Sequence, residues 1–337
     1  MAELVEFPLD PDAPLSTLVY TFGGAEAVAE LKPGQILTTA TRDCFAGRVR
    51  TTADLPSQVC DLRYINPQTG PFYIAGAEPG DTLAVHFVSI EPSESWGVSA
   101  TFPFFGALTS SRDTATLQPP LDERTWVYDL DNQARLVYYQ ALDGDLRLPL
   151  PMDPMHGTVG VAPAMGEVRN SLAPGAWGGN MDTPEMRAGA TCYLGVNEPG
   201  ALFSIGDGHA RQGEGEACGV AVECSMTTVL VVDVIRGDYA PWPRLETDEY
   251  LITTGSTKPL EDAFRIALTE MVRWIASLLE LSTMDAYQLV SQAALTPIAN
   301  VCDTVYTVTC KVPKSLLPET AAYGGIHQAL ESKAAAV

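Results

Sequence analysis

The sequence has no CxxC pair, no basic segment near its start and no apolar run approaching the ~20 residues that a membrane span needs. Without paired cysteines a structural zinc knuckle is not expected. Residues 1–15 (MAELVEFPLDPDAPL) lack the basic start and apolar stretch of a signal peptide, so none is expected. Basic residues are few, with 20 Lys and Arg against 42 Asp and Glu, a net charge of −22. Such a surface repels phosphate backbones and anionic lipid heads, which excludes nucleic-acid and membrane partners from the expectation and favours cations and neutral or positive substrates. Histidine occurs four times, at His86, His156, His209 and His327. The seven cysteines are odd in number, scattered and mostly inside apolar runs; they read as reduced thiols of a cytoplasmic protein.

What is present is apolar and turn-rich: 46% hydrophobic residues, 28 Gly and 25 Pro in 337 residues. That mix suits a β-rich enzyme. Short runs such as Leu83–Val88, Val220–Val222 and Val229–Ile235 read as strands. Helical spacing arrives late, with one apolar stripe over Leu260–Leu279 behind Pro259. A second helix is expected after Ser282, capped with the help of Asp285 and stopped by Pro297. Val301–Val312 alternates like a closing strand, and Glu331–Val337 reads as a frayed tail. The expectation is a mainly β, α+β fold in one domain over 1–337. It is built from sandwich- or barrel-like sub-units at 35–150 and 151–250, with a helix-and-strand segment at 255–315.

A weak repeat supports two related units. Pro71–Val85 (PFYIAGAEPGDTLAV) and Thr191–Ile205 (TCYLGVNEPGALFSI) align Tyr73 with Tyr193 and one Glu-Pro-Gly turn with another. Two unrelated hairpins with such turns would look alike, so duplication stays open at this point.

The densest polar stretch runs from Gly178 to Glu223: GGNMD at 178–182, GDGH at 206–209, QGEGE at 212–216, then Glu223. In extended backbone Asp207 and His209 share a face, as do Glu214 and Glu216. Asp182 precedes a Thr-Pro turn at a strand end. A carboxylate and an imidazole on one face make most of a facial metal site. A hydrogen-bonded turn would use the same residues, so spacing alone does not decide.

The same blocks resemble the acetamidase/formamidase family. The resemblance is carried by Gly160-Val161-Ala162-Pro163, Gly-Gly-Asn-Met-Asp, Pro199 to Ser204, Gly-Asp-Gly-His, Gln-Gly-Glu-Gly-Glu, Cys218-Gly219 and Val222-Glu223. Upstream, Asp43-Cys44-Phe45, Asn66 to Asp81 and Pro103 to Gly106 add to it, and it spans most of 35–310. It implies a β-rich, cytoplasmic homo-oligomer, a dimer or a multiple of one, that hydrolyses formamide, acetamide or a related short amide to ammonia and the acid. Trp177 stands where many members carry a histidine, and His156 is not general in the family.

The expected site has Asp182, Asp207 and His209 holding a divalent metal, zinc before calcium. Glu216 or Glu223 serves as general base, and Asp43 is a further catalytic candidate. Asn180, Trp177 and His156 are candidates for substrate contact; His156 is open between such a contact, a ligand and a loop residue. His86 reads as a satisfied core residue, and His327, near the tail, is given no role. Trp96, Phe104 and Phe105 could wall a pocket or simply pack. A nucleophilic Cys44, Cys218 or Cys224 is disfavoured because carboxylate neighbours oppose a thiolate. The alternatives are a metal-dependent oxygenase, for which His156 would supply a second imidazole, and a non-catalytic ligand-binding relative.

Overall fold

In the strand Thr82–Pro92, Leu83, Val85 and Phe87 turn to one face and Ala84 to the other, and both faces are buried. An unbroken apolar run such as LAV is therefore what a middle layer requires. The computed structural model describes residues 3–10, 12–108, 119–319 and 321–335. Thr82–Pro92 lies within a nine-stranded sheet. The order is Leu4–Phe7, Ile36–Thr41, Met226–Ile235, Thr82–Pro92, Thr191–Gly195, Arg244–Glu246, Tyr250–Thr257, Tyr306–Pro313 and Ile298–Asn300.

A ten-stranded sheet packs on its inner face. Its main path is Arg147–Pro151, Leu136–Gln140, Arg124–Asp131, Trp96–Thr101, Val222–Glu223, Phe203–Arg211, Met155–Gly160 and Gly178–Asn180. Gln68–Ile74 pairs with Phe203–Arg211 and carries Ala29–Leu31 beside it. Phe72, Val159, Phe203 and Ile205 of this sheet meet Leu37, Val85, Phe87, Cys192, Leu230 and Val232 of the other in one buried core. The outer face of the nine-stranded sheet is covered by helices. Ala267, Met271, Trp274 and Ile275 of Leu260–Leu278, Val290 of Thr283–Ala293 and Leu330 of Ile326–Ala334 close over Ile36, Ala84, Tyr193, Val231 and Val312. The fold is thus sheet on sheet with helices on one side, mainly β as expected. Among the described residues no helix is long and apolar enough to cross a membrane.

The two Glu-Pro-Gly segments are not hairpins. Each carries the chain from one sheet to the other: Gln68–Ile74 into Thr82–Pro92, and Thr191–Gly195 into Phe203–Arg211. The first strand of one unit pairs antiparallel with the second strand of the other, twice over. The turns clasp each other as well, Gly80 N donating to Val196 O and Gly200 N to Ala77 O. Gly80 (φ 99°) and Gly200 (φ 75°) both hold left-handed backbone. At Gly200 a Cβ would stand 2.2 Å from the Tyr73 ring. This reciprocal arrangement is what two copies of one unit, folded about a pseudo-twofold axis, produce.

Three local readings need correction. Val301–Val312 strands only from Tyr306 to Pro313; residues 301–305 form a turn whose polar groups are wanted elsewhere. Val220–Val222 is mostly loop, with strand only at Val222–Glu223. Of the tail read as frayed, Glu331–Ala334 continues a helix anchored by buried Leu330, whereas 336–337 lie outside the described residues. The helix after Ser282 is capped as read, Ser282 Oγ accepting from Asp285 N at 3.1 Å. It ends at Ala293, short of Pro297.

Candidate active site

The middle of the ten-stranded sheet is where the polar blocks converge. Phe203–Arg211 runs antiparallel to Met155–Gly160 and delivers Asp207 and His209. Gly178–Asn180 pairs on the far side of Met155–Gly160 and delivers Asn180 and, just past its end, Asp182. Gly157 lies between them, and its lack of a side chain makes the room: a Cβ there would stand 2.4 Å from Asp182 Oδ1, 2.5 Å from Asp207 Oδ2 and 2.8 Å from His209 Cε1. Asp182, Asp207 and His209 therefore approach the Gly157 position from one strand, which carries Asp207 and His209, and from just past the end of another, which carries Asp182. Glu216 joins them, its carboxylate lying within 4.8 Å of the ligand atoms of Asp182 and His209. Glu223 Oε1 is 3.3 Å from His209 Nε2, and Asp207 Oδ2 is 3.4 Å from it.

Asp207 and His209 share a face as expected, though not by plain alternation. Asp207 has φ 58°, and Asp182 (46°) and Glu216 (45°) are also left-handed. Non-glycine residues in that region are held there by their surroundings, and such strain gathers at functional sites. Glu214 and Glu216 separate by burial: Glu216 is buried at the cluster, while Glu214 is exposed, on a second hollow that both residues line with Arg211 and Cys218. Their segment is loop, so period-two alternation does not apply.

Asp207, Glu216 and Glu223 of the cluster open onto a cleft of about 340 Å³. Asn180, Asp207, Glu216, Glu223 and Asp303 supply the polar end, and Phe45, Phe102, Phe104 and Phe105 the apolar walls. No Lys or Arg lines it among the described residues. Sequence reasoning missed Asp303, Asn300, Cys302 and Asn66. Asn300 Nδ2 donates to Asp303 Oδ2 at 2.6 Å and, by a shorter bond, to Asp182 Oδ2. Asn180 Nδ2 reaches the same two carboxylates, each at 2.8 Å. Asn66 Nδ2 holds Asn180 Oδ1 and Thr158 Oγ1, both at 2.9 Å. The Asn-Val-Cys-Asp order at 300–303, opening an alternating run, was the available signal for a turn.

Burial raises Asp182, Glu216, Glu223 and Asp303, because a charge in this enclosure is poorly solvated. Glu216 is pushed up to about 8, Glu223 to about 7 and Asp303 to about 6. Asp182 is driven well above the usual carboxylate range by burial and then by Glu216, Asp303 and Asp207. For His209 burial acts downward, but Glu223 and Asp207 outweigh it and hold the imidazole well above its ordinary value. The site wants positive charge. Its orphaned atoms agree: Asp182 Oδ1, His209 Nε2 and Glu223 Oε2 are buried without a hydrogen-bond partner. His209 Nδ1 meets Gln212 Oε1 at 3.0 Å, and an amide oxygen can only accept, so Nδ1 carries a proton. That leaves the Nε2 lone pair for a ligand when the ring is neutral, as in a metal-binding histidine. Two ligands of a tetrahedral zinc ion stand roughly 3.4 Å apart, the spacing of His209 Nε2 from Asp207. The donor set fits a divalent ion.

Three candidates sit off the cleft. Asp43 is buried, its Oδ1 accepting from Phe45 N at 2.9 Å and its Oδ2 from Gly47 N at 2.8 Å; burial raises it to about 6. It braces the loop that carries Cys44 and Phe45 into the cleft. His156 has both ring nitrogens taken, Nδ1 donating to Gly206 O at 2.9 Å and Nε2 accepting from Thr228 Oγ1 at 2.7 Å. Burial lowers it to about 4. Trp177 packs outside the cleft, with the Arg169 guanidinium 5.4 Å from its ring centroid. Among the cysteines, Cys44 lines the cleft, but burial, Glu223, Asp207 and Asp43 raise its thiol well above the ordinary value. Cys302 Sγ donates to Glu216 Oε2 at 3.5 Å. Cys218 is exposed, and Cys224 is buried off the cleft.

The sequence matches the profile of the Acetamidase/Formamidase family over residues 24–166 and 148–315. It is 28% identical over 265 residues to an acetamidase of Mycolicibacterium smegmatis, a match covering 63% of this chain and 64% of that one, just under two thirds of the relative's length. The crystal structure of an acetamidase from Yersinia enterocolitica superposes with a TM-score of 0.87 at 37% identity, covering 94% of each chain. An acetamidase structure from Bacillus halodurans gives 0.81 at 28% identity, covering 92% of this chain and 98% of that one. The chain belongs to the acetamidase/formamidase family.

Proposed function

We propose that this protein hydrolyses a small carboxylic amide to the acid and ammonia, in the cytoplasm and as a homo-oligomer, using a divalent metal held by Asp182, Asp207 and His209. The observation that carries the reading is the set of orphaned, buried atoms, Asp182 Oδ1, His209 Nε2 and Glu223 Oε2, set behind the polar end of an otherwise apolar cleft that Asp207, Glu216 and Glu223 line. The bound ion, zinc by its mixed imidazole and carboxylate donors, supplies a lowered water pKa, from ~15.7 to ~7, and a polarised carbonyl.

The chain's own residues do the rest. Glu223 is the general base: Ala221 N holds its Oε1 at 3.0 Å, and Oε2 is left to take a proton. Attack of water on the amide carbon releases that proton to Glu223. The carboxyl then returns it to the leaving nitrogen as the C–N bond breaks, giving ammonia and the acid. Glu216 is the second carboxyl able to serve this step. Asn180 and Asn300 orient Asp182 and Asp303. Phe45, Phe102, Phe104 and Phe105 leave room for a short acyl group and keep water from its apolar end. Asp43 positions the Cys44–Phe45 loop, and Trp177 and His156 act as packing. The oxygenase alternative needs a second imidazole, and both His156 nitrogens are occupied.

Two variants test the scheme together. Glu223→Gln should lower kcat by about 10²- to 10⁴-fold with metal content unchanged. Asp207→Asn should lose metal and turnover together. Full metal occupancy with normal turnover in Asp207→Asn would overturn the assignment.

A further inference from the structure

His327 is buried, 0% exposed, in the C-terminal helix Ile326–Ala334. Its Nδ1 lies 2.7 Å from Thr191 Oγ1, and that hydroxyl lies 2.9 Å from His86 Nδ1. Its Nε2 has no hydrogen-bond partner. The nitrogen is aimed at two carboxylates. Asp248 Oδ1, in the turn between Arg244–Glu246 and Tyr250–Thr257, is 3.4 Å away. Glu331 stands one helical turn on from His327, and the ligand atoms of all three lie within 4.8 Å of one another. The neighbouring lysines are engaged elsewhere, Lys314 with Glu246 at 2.7 Å and Lys333 with Asp233 at 3.2 Å.

We propose that Asp248, His327 and Glu331 form a second divalent-metal site, structural in role, that fastens the C-terminal helix to the Asp248 turn on the helix-covered side of the nine-stranded sheet. The donor chemistry is one imidazole and two carboxylates, with solvent completing the shell at the exposed side, which suits zinc or another borderline divalent ion. The 3.4 Å separation is that of two ligands on one tetrahedral ion with bonds of roughly 2.1 Å. Thr191 and His86 supply the orienting contacts. With Nδ1 of His327 donating to Thr191 Oγ1, and that hydroxyl donating to His86 Nδ1, the Nε2 lone pair faces outward toward the carboxylates. The competing arrangement is the reverse tautomer, in which Nε2–H donates to Asp248 and no ion binds.

Full-length chain stripped with chelator and titrated with Zn²⁺ alone separates the two. Asp248 and Glu331 are exposed, so Asp248→Asn/Glu331→Gln should fold normally. The double variant should bind one zinc equivalent fewer per chain than the unmodified protein, and zinc should raise its thermal midpoint less. Ammonia release by the loaded enzyme should be the same in both. Equal zinc stoichiometry in the two proteins would overturn the site, whatever the outcome at Asp207. Loss of one equivalent in the double variant but not in Asp207→Asn would support this site while failing the other.

Discussion

Asp182, Asp207, Glu216, Glu223 and Asp303 crowd one imidazole with no lysine or arginine lining their cleft among the described residues. Removed from water, such a group accepts either protons or a metal. Glu216, raised to about 8, Glu223, to about 7, and Asp303, to about 6, hold protons in the native chain at pH values where the unfolded chain has released them. The sign follows from linkage. The native state binds more protons than the unfolded state between about pH 4 and 8, so metal-free stability falls as pH rises through that window. Thermal melts of chelated protein should drop by several degrees from pH 5.5 to 8.5. Zinc-loaded protein should show a flatter profile, because the ion replaces those protons, and should release protons on loading at pH 7. A chelated protein whose midpoint rises with pH would contradict the charge argument. At this scale the sequence was partly legible. Asp182, Asp207, His209, Glu216 and Glu223 were named because Gly-flanked acids and a histidine recur at short spacing, and the fold gathers them. Asp43, His156 and Trp177 were named from neighbours in the chain, and what a buried side chain hydrogen-bonds is not written in its neighbours. Asn66, Asn300 and Asp303 come from distant turns, so no local pattern could tie them to Asp182.

Strands at the centre of the site are exact in their small residues. Gly157 carries no positive φ; it is glycine because Asp182, Asp207 and His209 occupy the space a methyl would take. Gly157→Ala should therefore fold, at a cost of about 1–3 kcal/mol for overpacking, yet bind zinc far more weakly and lose most turnover. Unchanged zinc affinity would show that the three side chains do not meet over that position. The helices are a control. Ser282→Ala removes the cap on Asp285 N and should cost about 1 kcal/mol in a denaturant melt while leaving zinc content unchanged. Helices Leu260–Leu278 and Thr283–Ala293 were readable because an apolar stripe and a cap are local signals. Residues 301–305 were misread because alternation continues through a turn whose Asn and Asp serve the site rather than a ladder.

Across the whole molecule, two sheet-to-sheet units exchange strands and set the Glu-Pro-Gly turns against each other. The repeat in the sequence marked those turns but could not say that each unit crosses between sheets, since a hairpin and a crossover use the same turn chemistry. That exchange brings residues from Asn66 to Asp303 around one cleft with apolar walls and an acidic floor, the site at which amide hydrolysis is proposed. The most direct measurement is ammonia release from formamide, acetamide and longer amides by protein as purified, after chelation, and after zinc is restored. The account predicts release from at least one short amide, lost with the ion and regained with it. Full activity after complete removal of metal, or no ammonia from any short amide by the zinc-loaded protein, would contradict it.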